Sequence, residues 1–401
     1  MPNGHTATSE PIPVLDLDPF SDAFLTGPDP YHEVLREAGP VVYLERYGVW
    51  AMARYAHVHE ALRDHETYCS SAGVGISDFR KEKPWRPPSL LLEADPPAHD
   101  RARRVAARAL PPRVVRELRP EFLRRAEELV RSLLARGSFD AVPALAEAYP
   151  LRVFGDAAGL PAEGRENLLA YGTMVFNVFG PRNRVFEEST AAAEPVRAWI
   201  AEHCEREALS PDGLGARIWA AVDTGEISRE EAALLVRSLF SAGVDTTVST
   251  LAAAVLLFAT HPRQWEVLRT DPSLAGNALE EVIRYASPVQ TFFRTTTREV
   301  EVEGRRIPAG EKVLLFLGAA NRDPRQWDRA GEFDITRRIG AHVGFGSGIH
   351  NCVGAAFARV EGEALVSVLA RRVTGWESTG DPIPRPNNTL RAFASLPVRI
   401  W

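Results

Sequence analysis

Cysteine is scarce: Cys69, Cys204 and Cys352 are the three in 401 residues, an odd number spread widely along the chain. That excludes a disulfide-stapled secreted scaffold and fits a reducing compartment. The first residues carry no basic start followed by an apolar run, so no signal peptide is expected. The longest strongly apolar stretch, Leu251 to Ala259, is far short of the roughly 20 residues a bilayer span needs. Neither sign of charge dominates: 47 Lys plus Arg stand against 53 Asp plus Glu, for a net charge of −6. A balance that mild argues against a chain built to coat nucleic acid or an anionic membrane. A Walker or dinucleotide glycine fingerprint is missing, as is a second cysteine cluster for an iron–sulfur centre. The chain is therefore not equipped to collect electrons from NAD(P)H by itself. With no internal repeat or low-complexity linker, it reads as one domain over 1–401, residues 1–15 forming an N-terminal arm. A cytoplasmic monomer is expected.

What is present is ordinary globular material, 45% hydrophobic and 25% charged. The pattern from about 99 to 285 is mostly helical. It includes a helix over 121–136, starting just after Pro120, and an unusually long one over 229–260. The β-branched and aromatic content of 40–54 suggests a hairpin. Residues 299–307 and 311–316, joined through Pro308-Ala309-Gly310, suggest paired strands, and 355–373 returns to helix. The fold class is mainly α, an α+β chain with a minor β portion.

The most informative segment is Phe345 to Gly354, FGSGIHNCVG, followed by a helical run. Its glycines permit backbone conformations and close approaches that side chains would block. They surround Cys352 just ahead of a helix N-terminus, which favours a negative charge on sulfur. A thiolate placed there serves as nucleophile or as metal ligand. An inert buried thiol, a catalytic thiol paired with His350 and a zinc site are the competing readings, and zinc lacks further ligands at suitable spacing.

These ten residues resemble the haem-binding signature of the cytochrome P450 family, with every fixed position filled. Other motifs of that family follow in order. Glu281-Val282-Ile283-Arg284 matches its Glu-x-x-Arg pair, with Arg337 as third partner, a structural ion cluster without a chemical role. The segment from Ala242 to Thr247, AGVDTT, matches its oxygen-activation helix, and HDRAR matches its haem-propionate helix. The resemblance runs from about residue 15 to the end. It implies the cytochrome P450 fold, haem b (iron protoporphyrin IX), Cys352 as the iron ligand, and His99, Arg103, Arg294 and His350 around the haem carboxylates. A thiolate ligand supplies the electron density that favours O–O cleavage. Thr246, in mid-helix, can bond the carbonyl of Ala242 and loosen the ladder there. Asp245 beside it can then relay protons to bound oxygen.

The stretches EKPWRPPSLLLEADPPAH, LVRSLFSAGVDTTV and SPVQTFFRTTTREVE are similar to the bacterial members that oxidise para-substituted benzoates, 4-methoxybenzoate O-demethylases among them. That likeness implies a carboxylate held by Arg86, Ser89, Arg237 and Ser238, and a ring lying among Phe176, Phe179 and Phe292 near Ala242. Ser238 precedes Thr246 by eight residues, about 12 Å along a helix. That distance suits a rigid acid whose far end meets oxygen. Competing readings keep the monooxygenase but give it a terpenoid or macrolide, or make the chain a haem sensor without turnover.

The family implies a [2Fe–2S] ferredoxin and its NAD(P)H-dependent flavin reductase as electron source. Arg101, Arg103, Arg104, Arg108 and Arg359 form a candidate basic patch for such an acidic partner.

Overall fold

The computed structural model describes residues 11–401; most of the expected N-terminal arm lies outside them. Of that arm, Val14–Leu15 forms a strand parallel to Val42–Leu44. A six-stranded mixed sheet then runs, in spatial order, through Val14–Leu15, Val42–Leu44, Val49–Met52, Lys312–Phe316, Thr291–Thr296 and Tyr68–Cys69. The expected hairpin at 40–54 is its second and third strands, antiparallel with Tyr43 opposite Trp50. The other expected pairing is different. Val300–Val302 and Arg305–Ile307 form a hairpin of their own, turning at Glu303 and Gly304, both at positive φ. Lys312–Phe316 pairs instead with Thr291–Thr296 and Val49–Met52. All five of its residues are buried; four are apolar, as suits a central strand, and Lys312 is satisfied by the Ala72 and Gly73 carbonyls.

The helices build the largest core. Pro112–Arg136 packs on Ala355–Arg372 through Phe122 and Phe357, whose rings meet edge to face at 5.2 Å. The first of these helices begins nine residues before the expected start, at Pro112, and runs through Pro120. Proline is well placed at a first helical turn. In mid-helix it costs a hydrogen bond. Here the buried stripe of Val115, Phe122, Ala126, Val130 and Leu133 continues in step on both sides, and its burial outweighs one lost bond.

The long central helix is two helices, Arg229–Gly243 and Asp245–Thr260, meeting at Val244 (φ −105°, ψ −61°). Gly243 is required at the joint, because a Cβ there would stand 2.3 Å from the Phe154 ring. Ser228 and Glu231 cap its start reciprocally. The run of 32 residues contains an 18-residue window of mean hydropathy 1.6, long and apolar enough to cross a membrane, yet 67% of that window is buried within the protein. Beneath it, Arg284 and Glu281 form a fully buried bidentate pair, both contacts 2.7 Å. Arg337 completes the cluster at 3.3 Å, and Arg284 also donates to the carbonyls of Asn321, Ala330 and Glu332. A buried ion pair this fully bonded joins three chain segments.

Candidate active site

Between the central helix joint and the cysteine loop lies a cavity with about 1860 Å³ of atom-free space, part of it open to solvent. Cys352 lines it and is exposed to it. The loop that presents the sulfur is fixed by its backbone. Gly346 and Gly348 sit at φ +70° and +68°, and a Cβ on Gly348 would stand 2.7 Å from the Leu62 carbonyl oxygen. The Cys352 N–H donates to the Phe345 carbonyl at 2.8 Å. Burial pushes the thiol pKa up, and the Gly354 N–H, Arg103 and Arg359 act against that. A sulfur flanked by an N–H and two guanidiniums suits a thiolate bound to a metal cation.

Arg103, Arg294 and His350 line the cavity. His99 is buried behind them, its ring 4.6 Å from that of His350. Nε2 of both imidazoles is buried and has no hydrogen-bond partner among the described residues. Burial lowers the pKa of each, so both are neutral at pH 7. Burial also pushes Arg294 down to about 10, and it remains charged. Two guanidiniums, the His350 imidazole and a thiol facing one cavity, with the orphaned His99 ring nitrogen just behind, fit a flat iron macrocycle with two carboxylates, as buried polar groups demand partners. Asp95 was not foreseen. It accepts from the backbone N–H groups of Ser70 and Ser71 and lies 3.8 Å from His350 Nε2. Burial works against its charge, but the nearby His350 imidazole and the bonds from Ser71 and Ser70 hold its carboxyl well below the usual range. His350 Nδ1 is tied to the Leu91 carbonyl at 3.0 Å.

Thr246 lines the cavity, and its hydroxyl donates to the Ala242 carbonyl at 2.8 Å, the bond anticipated from sequence. Asp245 is buried and faces away from the cavity, toward the Asn167–Asn177 helix. Thr173 Oγ1 donates to its Oδ2 at 2.8 Å, while Oδ1 has no partner among the described residues. Burial raises its pKa to about 6, with Arg385 and Thr173 opposing. Such a carboxyl exchanges its proton near neutral pH.

The opposite end of the cavity is apolar on its sides and polar at its tip. Phe176 and Phe179 meet edge to face at 6.1 Å, and Phe179 meets Phe292 at 5.9 Å. Ala242, Arg86, Ser89 and Ser238 also line the space. Ser89 Oγ and Ser238 Oγ are 3.2 Å apart, and Ser238 also donates to the Leu234 carbonyl. Arg237 stands elsewhere. It does not line the cavity; its Nη2 donates to the Pro87 carbonyl at 2.7 Å. Neighbours on a helix point about 100° apart, so with Ser238 facing inward Arg237 turns to the loop outside. Arg86, in turn, is held by Glu93 at 2.8 Å, a partner the sequence did not bring forward.

The candidate basic patch is largely committed. Arg103 turns inward to the Asn351 carbonyl, Arg101 and Arg108 pair with Glu231 and Glu226, and Arg359 pairs with Glu280 while lying 4.4 Å over the Phe345 ring. Arg104 is exposed.

Comparisons with known proteins agree with this geometry. The family described as Cytochrome P450 matches residues 206–399. Cytochrome P450 CYP199A2 of Rhodopseudomonas palustris is 56% identical over 390 residues, covering 97% of this chain and 95% of that one. A vitamin D(3) 25-hydroxylase of Pseudonocardia autotrophica is 34% identical over 390 residues, covering 95% and 96%. Among solved structures, cytochrome P450 CREJ in complex with (4-ethylphenyl) dihydrogen phosphate superposes with a TM-score of 0.86 at 27% identity, covering 96% of this chain and 99% of that one. The fold, the furnished cavity and these relatives lead to one conclusion: the chain belongs to the cytochrome P450 family, haem b monooxygenases that use O2 and electrons from a redox partner on small hydrophobic substrates.

Proposed function

We propose that this cytochrome P450 oxidises para-substituted benzoates, with O-demethylation of 4-methoxybenzoate as the representative reaction. The observation that carries the reading is the convergence of the Ser89 and Ser238 hydroxyls, with Arg86 beside them, at one tip of an otherwise apolar cavity. A buried carboxylate is strongly disfavoured without such donors. The aromatic side chains between that tip and Thr246 suit a single ring. The CREJ complex supports this ligand class, since its ligand is also a para-substituted ring with an anionic group at one end.

In this reading Cys352 is the iron ligand, and His99, Arg103, Arg294 and His350 hold the haem carboxylates. Haem ligated by thiolate supplies the O–O cleavage chemistry when bound. Arg86, Ser89 and Ser238 bind the substrate carboxylate, and Arg237 adds positive charge from behind them. Phe176, Phe179, Phe292 and Ala242 orient the ring, so the para group faces Thr246 and Cys352. Position then decides the product: the methoxy carbon is oxidised and leaves as formaldehyde. Thr246 offers its hydroxyl to the oxygen side, and Asp245 takes up and releases protons from behind it. A [2Fe–2S] ferredoxin with its NAD(P)H-dependent reductase delivers the electrons to a monomeric, cytoplasmic enzyme.

An absorbance titration of the ferric holoenzyme with 4-methoxybenzoate tests the reading. A saturable shift toward the high-spin band is expected, with methyl 4-methoxybenzoate binding far more weakly. A low-spin spectrum that never responds to the acid would overturn the substrate class and leave the family untouched.

A further inference from the structure

We infer that Glu93 is a specificity-determining residue, a built-in counter-anion that fixes Arg86 and Ser89 in place and at the same time limits how tightly a ligand carboxylate is held. The inference rests on the benzoate reading above. One carboxylate oxygen, Glu93 Oε2, accepts both from Arg86 Nη1 at 2.8 Å and from the Ser89 backbone N–H at 2.7 Å. The Glu93 side chain is 2% exposed, and a buried carboxylate calls for partners such as these. It thus closes the turn that carries two of the groups facing the ligand's acidic end. The turn is tight around Ser89, whose hydroxyl also accepts from the N–H groups of Leu91 and Leu92. On its other side, Arg86 lies 5.2 Å from the centre of the Trp85 ring. Glu93 itself does not line the cavity, and it acts through Arg86 and Ser89.

Charge arithmetic gives this arrangement its consequence. Arg86, Glu93 and Arg237 influence one another electrostatically; burial and Arg86 disfavour the Arg237 charge, and Glu93 favours it. Two guanidiniums against one carboxylate leave a single positive charge, which one arriving carboxylate neutralises. Without the Glu93 charge the same ligand would meet two uncompensated cations. Glu93 therefore costs affinity for acids and gives in return a preformed Arg86–Ser89 pair.

Glu93→Gln keeps an oxygen acceptor for both donors and removes the charge. Titrated into the ferric holoenzyme, 4-methoxybenzoate is expected to bind this variant about tenfold tighter, while methyl 4-methoxybenzoate stays within about twofold. Glu93→Leu removes the acceptor as well as the charge, so the ester should weaken while the acid-to-ester preference still rises. The acid-to-ester ratio is the deciding readout, because a purely structural role would move both ligands alike. An unchanged ratio in Glu93→Gln overturns the inference alone, provided the parent protein binds the acid. A parent that ignores the acid overturns the benzoate reading and this inference with it. Should Glu93→Gln fold poorly, Glu93→Asp serves instead: keeping the charge at shorter reach, it should loosen both ligands. A raised acid preference there overturns the charge assignment.

Discussion

The two ends of the cavity are made differently. At the cysteine end, ten consecutive residues do most of the work: Gly346 and Gly348 adopt positive φ, Cys352 N–H returns to Phe345, and Gly348 leaves no space for a side chain against Leu62. At the polar end, Ser89 and Ser238 come together from positions 149 residues apart, and the loop bearing Ser89 is secured by Glu93, Arg237 and His350 from three further directions. Local backbone geometry is rigid and tolerates little, which suits a centre common to a whole family. A tip assembled from distant side chains can change one contact at a time, which suits selection among substrates.

Substitutions at each end should break or sharpen that contrast. The largest effect belongs to Cys352→Ala: the thiolate-type spectrum of the carbon monoxide complex should vanish and turnover with it. A retained spectrum would overturn the ligand assignment. Next is Asp245→Asn, expected to lower demethylation about 100-fold while stabilising the fold. Burial raises the pKa of this carboxyl to about 6, so the folded state prefers the protonated form. Its stability is greatest below the ordinary carboxylate range and falls as pH rises through about 6. Removing the ionisable group should therefore raise stability at pH 7 by on the order of 2–3 kcal/mol. Melting curves from pH 4 to pH 8 check this: the gap between variant and parent should close toward pH 4. At the polar tip, Ser238→Val should weaken 4-methoxybenzoate binding about tenfold, the loss of a hydrogen bond to a charged group, with haem incorporation unchanged. Equal affinity would remove Ser238 from the site. Arg237→Gln, outside the lining, should cost acid affinity only about two- to threefold, and that loss should shrink in high salt.

The same contrast explains what the sequence made legible. Cys352 and its loop could be read from ten adjacent letters, and so could the Thr246 bond to Ala242, because both depend on short spacing. Arg284 and Glu281, three residues apart on one helix, were equally accessible. Arg237 was placed at the ligand by family likeness, yet it does not line the cavity, because adjacent helical positions diverge and a one-residue difference decides who faces inward. Glu93 and Asp95 lay in the quoted loop segment, but their roles depend on a fold-back that no local pattern announces. Long-range packing likewise overruled Pro120 as a helix start. The loosened ladder at Ala242 was anticipated, but the split at Val244 was not, because the letters on both sides favour helix; the Phe154 ring, ninety residues upstream, packs against Gly243 beside it.

That joint has a consequence for exchange with solvent deuterium. A buried helix of uninterrupted hydrogen bonds would open as a single cooperative block. Divided at Val244, with the Thr246 hydroxyl occupying the Ala242 carbonyl, Arg229–Gly243 and Asp245–Thr260 should show two separate protection levels. The boundary between slow and slower amides would then fall beside Thr246, the residue proposed to face oxygen.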